Sequence, residues 1–504
     1  MILRALLISL LAFIGSFSGY AQNQNAFISD SLSATNHPVL KDTNTVFTVE
    51  KVVAWGNKRT KSYIVQREIA ILVGQTYTPE SLNSAIKLTR EQLMNTALFV
   101  DVLVDTFMQP GGKVEVSIHL KERWYLFPMP YFRVIDRNWN VWIKEHGASL
   151  DRANIGVKIM HQNFSGRNDK FNMWIIGGYT KQFAFNYYRP YFDKKLRFGY
   201  NLGFQYARNR ELNHLTKNNK QQFYSSTSFV QEHLRADAGL SYRLGSKMRM
   251  FLKGAYHRES ISDSVALLNP NYLGGGKTKA GYFDVTYNLQ YFNVDYIPYP
   301  VRGWYVDANA IYRNGGSGSL NMVALGGKFF ATKNIMPNTW VDLHVAGILR
   351  LPQNQPYFNS KLLGYGDVYM QGLEYYVVDG TMGGFVRGVV KKQVLQFAIN
   401  NLFKMKKPES TNLIRKTFNG LSKTHNHIPF RVFAKVFGNV GYVHGSNVGS
   451  SIMNNRLLRT GGVGLDIVTV YDWVLKLELS FNQFDRGGIN NIGNKLFVHT
   501  QADF

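Results

Sequence analysis

Phe283-Asp284-Val285-Thr286-Tyr287-Asn288-Leu289-Gln290-Tyr291 decides the fold. Every odd position is apolar or aromatic and every even one polar, the period of a β-strand with two different faces. The same pattern recurs through much of the chain. Phe198, Tyr200, Leu202, Phe204 and Tyr206 share one face, with Asn201 and Gln205 on the other. Leu475, Leu477, Leu479 and Phe481 oppose Lys476, Glu478 and Ser480. A soluble sandwich also alternates, but its apolar face is rich in Val, Ile and Leu and turns break it every ~8–12 residues. Here the apolar face is heavy in Tyr, Phe and Trp, as where strands cross a bilayer between aromatic girdles. The opposing face carries ionisable groups, which suits a wet lumen. Strands are tolerable in lipid only when the sheet closes on itself.

From about residue 152 to 504 the alternation predicts sixteen strands. They begin near 152–163, 169–179, 182–190 and 196–208, continue at 221–233, 234–243, 248–258 and 281–294, and end at 494–504. Leu496, Val498 and Phe504 fall on the lipid face of the last one, ending in an aromatic residue. The predicted fold class is mainly β: a C-terminal 16-stranded antiparallel transmembrane β-barrel preceded by one small α/β domain.

The 504-residue chain has no cysteine, which removes disulfide scaffolds and every thiol-based metal, redox or nucleophile site. At 14% aromatic it is no disordered chain. Lys and Arg number 58 against 33 Asp and Glu, a net charge of +25. Such a balance first suggests nucleic acid, an anionic membrane or an acidic partner. Met1–Gln22 reads as a secretory signal: Arg4, an apolar run from Ala5 to Phe17, then Gly19-Tyr20-Ala21 for cleavage after residue 21. Residues 22–46 read as a flexible polar linker. Nothing later offers the ~20 apolar residues of a spanning helix. Export makes a nucleic-acid role untenable, and the excess lies almost wholly in the barrel part: the module from 47 to 122 holds nine basic and eight acidic groups.

That module mixes helix and strand. Phe47–Val53 alternates; Thr60 is placed to cap a helix running to Ile69; Thr78-Pro79-Glu80-Ser81 opens a second helix whose Leu82, Ala85, Ile86, Thr89 and Leu93 recur at helical spacing. Phe99–Val104 and Val114–Leu120 return to strands. Val53…Gly56-Asn57, Gly74-Gln75, Leu98-Phe99 and Lys121-Glu122-Arg123, in that order, resemble a POTRA domain, the periplasmic module of outer-membrane assembly proteins. Residues 123–151 read as a connector, and 152–504 as the barrel.

Signal peptide, one POTRA-like module and a terminal barrel together resemble the BamA/TamA-type superfamily, also called the bacterial surface antigen family. Asn163-Phe164-Ser165-Gly166 fits its first barrel turn, Tyr299-Pro300-Val301-Arg302-Gly303-Trp304 its mid-barrel strand opening, and the last strand resembles its C-terminal β-signal. The resemblance implies a long extracellular loop between strands 11 and 12 that folds into the lumen and pins an Arg-Gly-aromatic tip against the wall. Leu349–Gly383 is that loop, and its best match is Gln371-Gly372-Leu373-Glu374-Tyr375 with Asp379-Gly380 behind. Gln371 stands where the family has arginine, replacing a charged fork by a neutral, weaker group. Val386-Arg387-Gly388 is the competing match, read mainly as the opening of strand 12, in parallel with Arg302-Gly303.

Residues 400–427 should form a periplasmic turn. They carry Lys404, Lys406, Lys407, Arg415, Lys416 and Lys423 against Glu409 alone, a solvated basic loop or an amphipathic element resting on anionic lipid. Enzyme signals fail. Gly274-Gly275-Gly276-Lys277-Thr278 lacks the first phosphate-loop glycine, His425-Asn426-His427 has no third ligand, and Gly315-Gly316-Ser317-Gly318 is a hairpin tip. No enzyme activity, cofactor or metal is expected.

The resemblance implies a factor in the outer membrane of a Gram-negative bacterium that inserts or exports client proteins. The POTRA-like domain would take extended client segments, and the seam between strand 152–162 and the last strand would template them. Partners would be the bilayer and unfolded outer-membrane clients, with accessory periplasmic or lipoprotein subunits left open. A passive channel or a structural surface antigen is the alternative.

Overall fold

A computed structural model describes residues 46–134, 149–316, 320–365, 368–400, 427–445, 451–469, 473–484 and 496–502. The signal segment and nearly all of the linker lie outside these residues, as do Lys404 to Lys423 and Phe504.

The chain opens with β1 (Phe47–Trp55), α1 (Ser62–Gln66), β2 (Thr76–Tyr77), α2 (Pro79–Met94), β3 (Phe99–Gln109) and β4 (Lys113–Glu122). The sheet runs β2-β1-β4-β3, with β1 and β4 parallel and the other pairs antiparallel. Helix α2 starts where Thr78 accepts a hydrogen bond from the Ser81 amide at 3.2 Å and Pro79 occupies the first turn. Its buried stripe of Leu82, Ile86, Thr89 and Leu93 closes a core with Val49, Val102, Val104, Val114, Val116 and Ile118. Thr60 caps nothing: α1 begins at Ser62 without a side-chain cap, and the buried Thr60 hydroxyl instead meets Tyr125 and Asn163. Strand β3 is left as a long free edge.

The barrel strands follow as β5 (Leu126–Val134), β6 (Ala153–Gln162), β7 (Lys170–Gly178), β8 (Lys181–Arg189) and β9 (Phe198–Asn209). A hairpin of β10 (Glu211–Lys217) and β11 (Lys220–Ser225) stands apart from the wall. Then come β12 (Gln231–Leu244), β13 (Met248–Ile261), α3 (Asp263–Leu268), β14 (Lys279–Val294), β15 (Gly303–Asn314), β16 (Met322–Met336) and β17 (Thr339–Leu351). A long loop holds α4 (Tyr357–Ser360), β18 (Lys361–Leu363) and β19 (Val378–Asp379). The wall resumes with β20 (Met382–Asn400), β21 (His427–His444), β22 (Leu457–Val468), β23 (Trp473–Asn482) and β24 (Leu496–Ala502). Sixteen strands pair in this order, each antiparallel to the next, from β5 to β24.

Two assignments change. Residues 126–134, read as connector, are the first barrel strand, paired with β6 from Leu126↔His161 to Val134↔Ala153. Pro128 and Pro130 argue against a strand in the middle of a sheet, but at an edge the missing donor faces outward and costs nothing. Conversely, 221–233 is no wall strand: its first half is β11, paired only with β10, and its end starts β12. One strand missed and one misplaced leave the total at sixteen.

Burial is inverted relative to a soluble core. Leu240, Leu252 and Val436 are 56%, 53% and 59% exposed, while inward-facing Glu478 and Lys391 are 0% and 3% exposed. Apolar outside and charge inside is the arrangement of a barrel solvated by lipid. Among the described residues no helix is long and apolar enough to span a membrane.

Candidate functional site

The loop between β17 and β20, the eleventh and twelfth wall strands, turns inward on its own apolar base. Leu362, Leu363, Met370, Leu373 and Val378 pack with Val443, Met453 and Leu458 of the wall and rim. Strands β18 and β19 pair Lys361 with Asp379, and the Gly380 amide donates to the Ser360 carbonyl at 2.7 Å. Tyr365 donates to Asp379 at 2.5 Å. Burial pushes the Asp379 carboxyl above its ordinary range, opposed by that hydrogen bond. Burial also pushes the Lys361 ammonium down to about 8.

The tip lies against β21, β22 and β23. Buried Gln371 donates through Nε2 to Glu478 Oε1, and its carbonyl accepts from Thr460 Oγ1 at 2.5 Å and Asn439 Nδ2 at 3.4 Å. Gly372 has φ +90°, and a Cβ there would stand 2.9 Å from the Thr460 Cβ, so glycine is required. Its amide donates to Glu374 Oε2 at 2.8 Å, and its carbonyl accepts from Asn482 at 2.7 Å. Leu373 is buried, while exposed Tyr375 places its ring 5.2 Å from Phe497 of β24. The loop tip thus touches four consecutive wall strands ending at the sheet edge.

The cation opposite Glu478 comes from the wall. Lys435 Nζ on β21 lies 2.5 Å from Glu478 and 2.5 Å from Asp466 on β22. Arg387 lies within β20, where Nε donates to Asn439 Oδ1 at 2.8 Å and Nη2 to the Tyr369 carbonyl at 3.4 Å. It therefore touches the loop from the wall and is not its tip. Leu496 and Val498 stand opposite Leu479 and Leu477 in the β23–β24 ladder.

A second insertion enters from the opposite mouth. In the 295–302 turn, Tyr299 donates to Asp466 Oδ2 at 3.0 Å and packs on Phe433 at 4.8 Å between ring centres. Lys391 donates to the Pro300 carbonyl at 2.8 Å and pairs with Asp342 at 2.7 Å. A continuous chain of polar contacts, Gln371–Glu478–Lys435–Asp466–Tyr299, joins the two insertions through the wall. The alternation places Glu478 on the inward face and the strand-opening motif includes Tyr299, but Lys435 and Asp466 carry no local signal and nothing in the motif shows that Tyr299 reaches Asp466.

The same turn carries the α/β module. Asn95 Nδ2 donates to the Asp295 carbonyl at 3.3 Å, and the Ile297 amide donates to Asn95 Oδ1 at 3.2 Å. Arg302, read as a strand opener, pairs with Glu91 of α2. Burial raises the Glu91 carboxyl above its usual value, with Arg302 opposing. Gly303 does open β15, at φ +103°, where a Cβ would fall 1.9 Å from the Asn293 carbonyl oxygen. On the other side of the module, buried Glu68 accepts two bonds from Arg243 at 2.6 and 2.8 Å. Arg67 donates to the Leu196 carbonyl at 2.9 Å. Between module and barrel lies a cavity of about 560 Å³ lined by Tyr188, Arg249, Phe251 and Ile297.

A sheet of sixteen strands with apolar residues outside and charge inside, plugged from both mouths and joined to a small α/β module, is the architecture of a transmembrane β-barrel with an attached α/β domain. Residues 163–351 match the Omp85 superfamily domain, and residues 47–123 match the POTRA family described as surface antigen variable number repeat. The chain therefore carries an Omp85 superfamily domain in its barrel, preceded by one POTRA-family domain. Members of this family are non-enzymatic factors for outer-membrane protein insertion or translocation, with the POTRA domain in the periplasm of Gram-negative bacteria. No curated protein matches the chain. Among solved structures it is similar to BamA from Haemophilus ducreyi lacking POTRA domains 1–3, at 13% identity over 90% of this chain and 83% of that one, TM-score 0.48. It is also similar to CdiB from Acinetobacter baumannii, at 12% identity, 90% and 73% coverage and TM-score 0.42. CdiB from Escherichia coli matches at 11% identity, 92% coverage of both chains and TM-score 0.43.

Proposed function

We propose that this protein inserts or exports client proteins at the outer membrane, receiving extended segments on the POTRA edge and templating strands at the seam between β5 and β24. The observation that carries this reading is the seam. Among the described residues β5 and β24 end the sheet and no ladder joins them. The Gln162 amide donates to the Tyr125 carbonyl, so odd residues of this unshifted ladder point at β6 and even ones at the seam. Pro128 and Pro130 are even. Two of the seam-facing positions of β5 therefore have no N–H to give, and closure by a full ladder is impossible. An edge that stays partly unpaired is one a client strand can enter by main-chain pairing. The POTRA edge β3, with Leu103, Phe107 and Met108 exposed, offers a second such surface. A passive channel gains nothing from a lumen occupied by the 368–381 segment and the 295–302 turn.

The chain has no cysteine, so an introduced pair is unique. Met129→Cys combined in turn with cysteine at Val498, His499 or Thr500 should, when oxidised, abolish support of outer-membrane protein levels in depleted cells. Reduction should restore it. Full support with the seam crosslinked would sink the proposal, as would unchanged barrel levels on depletion with altered solute uptake.

A further inference from the structure

The extracellular rim of the barrel is unevenly charged on its outer face. The POTRA domain docks on the turns after β6, β8, β12 and β14, which makes the opposite strand ends extracellular. On the arc from β8 to β14 those ends present Lys181, Arg208, Arg258 and Lys279 outward, with Arg210 just beyond β9. On the arc from β15 to β22 the equivalent outward residues are Tyr312, Val323, Leu351, Met382, Tyr442 and Leu457, with Arg459 the one cation among these described strand ends.

The cations of the first arc surround a built feature. A cavity of about 410 Å³ is lined by Tyr206, Phe229, Glu232, Leu234, Arg258 and Lys279. Phe229 forms one side, with Arg208, Arg210 and Lys181 stacked at 4.2, 5.2 and 5.6 Å from its ring centre. Glu232 pairs with Arg208 at 2.7 Å. Arg258 and Lys279 thus line the cavity beside Glu232, while Arg208, Arg210 and Lys181 gather on the Phe229 ring at its edge. Cations that merely reach for water would spread around the whole rim; these are gathered on one arc, two lining the concavity and three on the aromatic ring that forms its side. Below it, exposed Tyr206, Tyr256, Phe283, Leu240 and Leu252 continue the apolar belt toward the membrane centre.

We infer that this cavity binds the phosphate-bearing headgroup of an outer-leaflet lipid, with its acyl chains lying along the apolar column beneath. A phosphate monoester carries close to two negative charges, and guanidinium groups hold it through paired, charge-assisted bonds. The apolar column continuous with the cavity is what selects a lipid over a free anion. The inference rests on the membrane location and is independent of the client-insertion reading.

The test uses the full chain in phosphatidylcholine nanodiscs doped with bisphosphorylated lipid A or its dephosphorylated form, with retention read by native mass spectrometry. Wild type should retain the phosphorylated lipid and not the dephosphorylated one. Combining R210Q, R258Q and K279Q should weaken retention about ten-fold or more, because each basic residue near a charged surface contributes independently. The single R258Q variant, at an exposed position, should show a smaller loss in the same direction, and R459Q none. Equal retention by R258Q and wild type, equal retention of the dephosphorylated lipid, or displacement by millimolar inorganic phosphate would each overturn the assignment.

Discussion

Replacing Pro128 and Pro130 together by alanine should close the seam. Each alanine restores one N–H on the seam-facing side of β5, opposite the carbonyls of β24. A backbone hydrogen bond contributes about 1 kcal/mol net. Two restored bonds then favour the closed seam by about 2 kcal/mol, a shift of about thirty-fold in the open-to-closed ratio. The proline-to-alanine change also loosens the unfolded chain, but that acts on global stability and not on opening of an already folded barrel. Two measurements report the shift. Amide exchange at Leu126 and Phe132, which face the seam on either side of the prolines, should slow by about the same factor. Insertion of a client barrel into proteoliposomes holding the purified variant should fall. Unchanged exchange at both amides in a folded variant would refute the argument that the prolines hold the seam apart.

Gln371→Ala removes a bond to a buried carboxylate worth about 1.5–3 kcal/mol, so a cysteine at Tyr375 should label faster than in the parent loop; equal labelling would mean the tip is held by its backbone alone. Lys435→Met should destabilise the barrel by about 3–5 kcal/mol because it removes the ammonium that bridges the buried Glu478 and Asp466 carboxylates, whereas adding Glu478→Gln should recover part of the loss in urea unfolding. Adding Gln371→Arg to Lys435→Gln should do likewise by returning the cation from the loop side, and a failure of both rescues would show that Lys435 acts through packing. Glu68→Gln should free one side of the POTRA domain, seen as a broadened distance distribution between spin labels on α2 and the 245–247 turn. Glu91 has a raised proton affinity in the docked state, so the docked state binds more protons and loses stability as pH rises through the range just above 4.5; the Glu91→Gln variant should lack that trend, and an opposite slope in wild type would contradict the burial of Glu91.

The two errors in the wall share one cause. Pro128-Met129-Pro130 breaks the strand pattern for any strand with two neighbours, and nothing local says that β5 has only one. Gln221–Ser225 alternates as well as a wall strand does, and only its pairing with β10 shows that it stands outside the wall. The loop tip was read from its resemblance to the family's loop motif, and its glycine, at φ +90° beside Thr460 where no side chain fits, is the mark such a tip leaves in sequence. Its partners left none. Arg302 could be seen opening a strand, but its second task, pairing with Glu91 more than two hundred residues earlier, could not.

The sequence by itself determined a transmembrane barrel preceded by one small α/β module, since period-two alternation and aromatic outer faces are properties of local segments. It also located the +25 charge in the barrel part. Only the tertiary structure decided where that charge works. Lys435 is shared between two carboxylates because β21, β22 and β23 lie in one particular register. Tyr299 reaches Asp466 because a turn crosses the lumen. Five cations converge on one arc because strand ends far apart in sequence are neighbours in the sheet. Alternation fixes which face a residue takes; register and closure, set by pairings between distant strands, fix which residue it meets there.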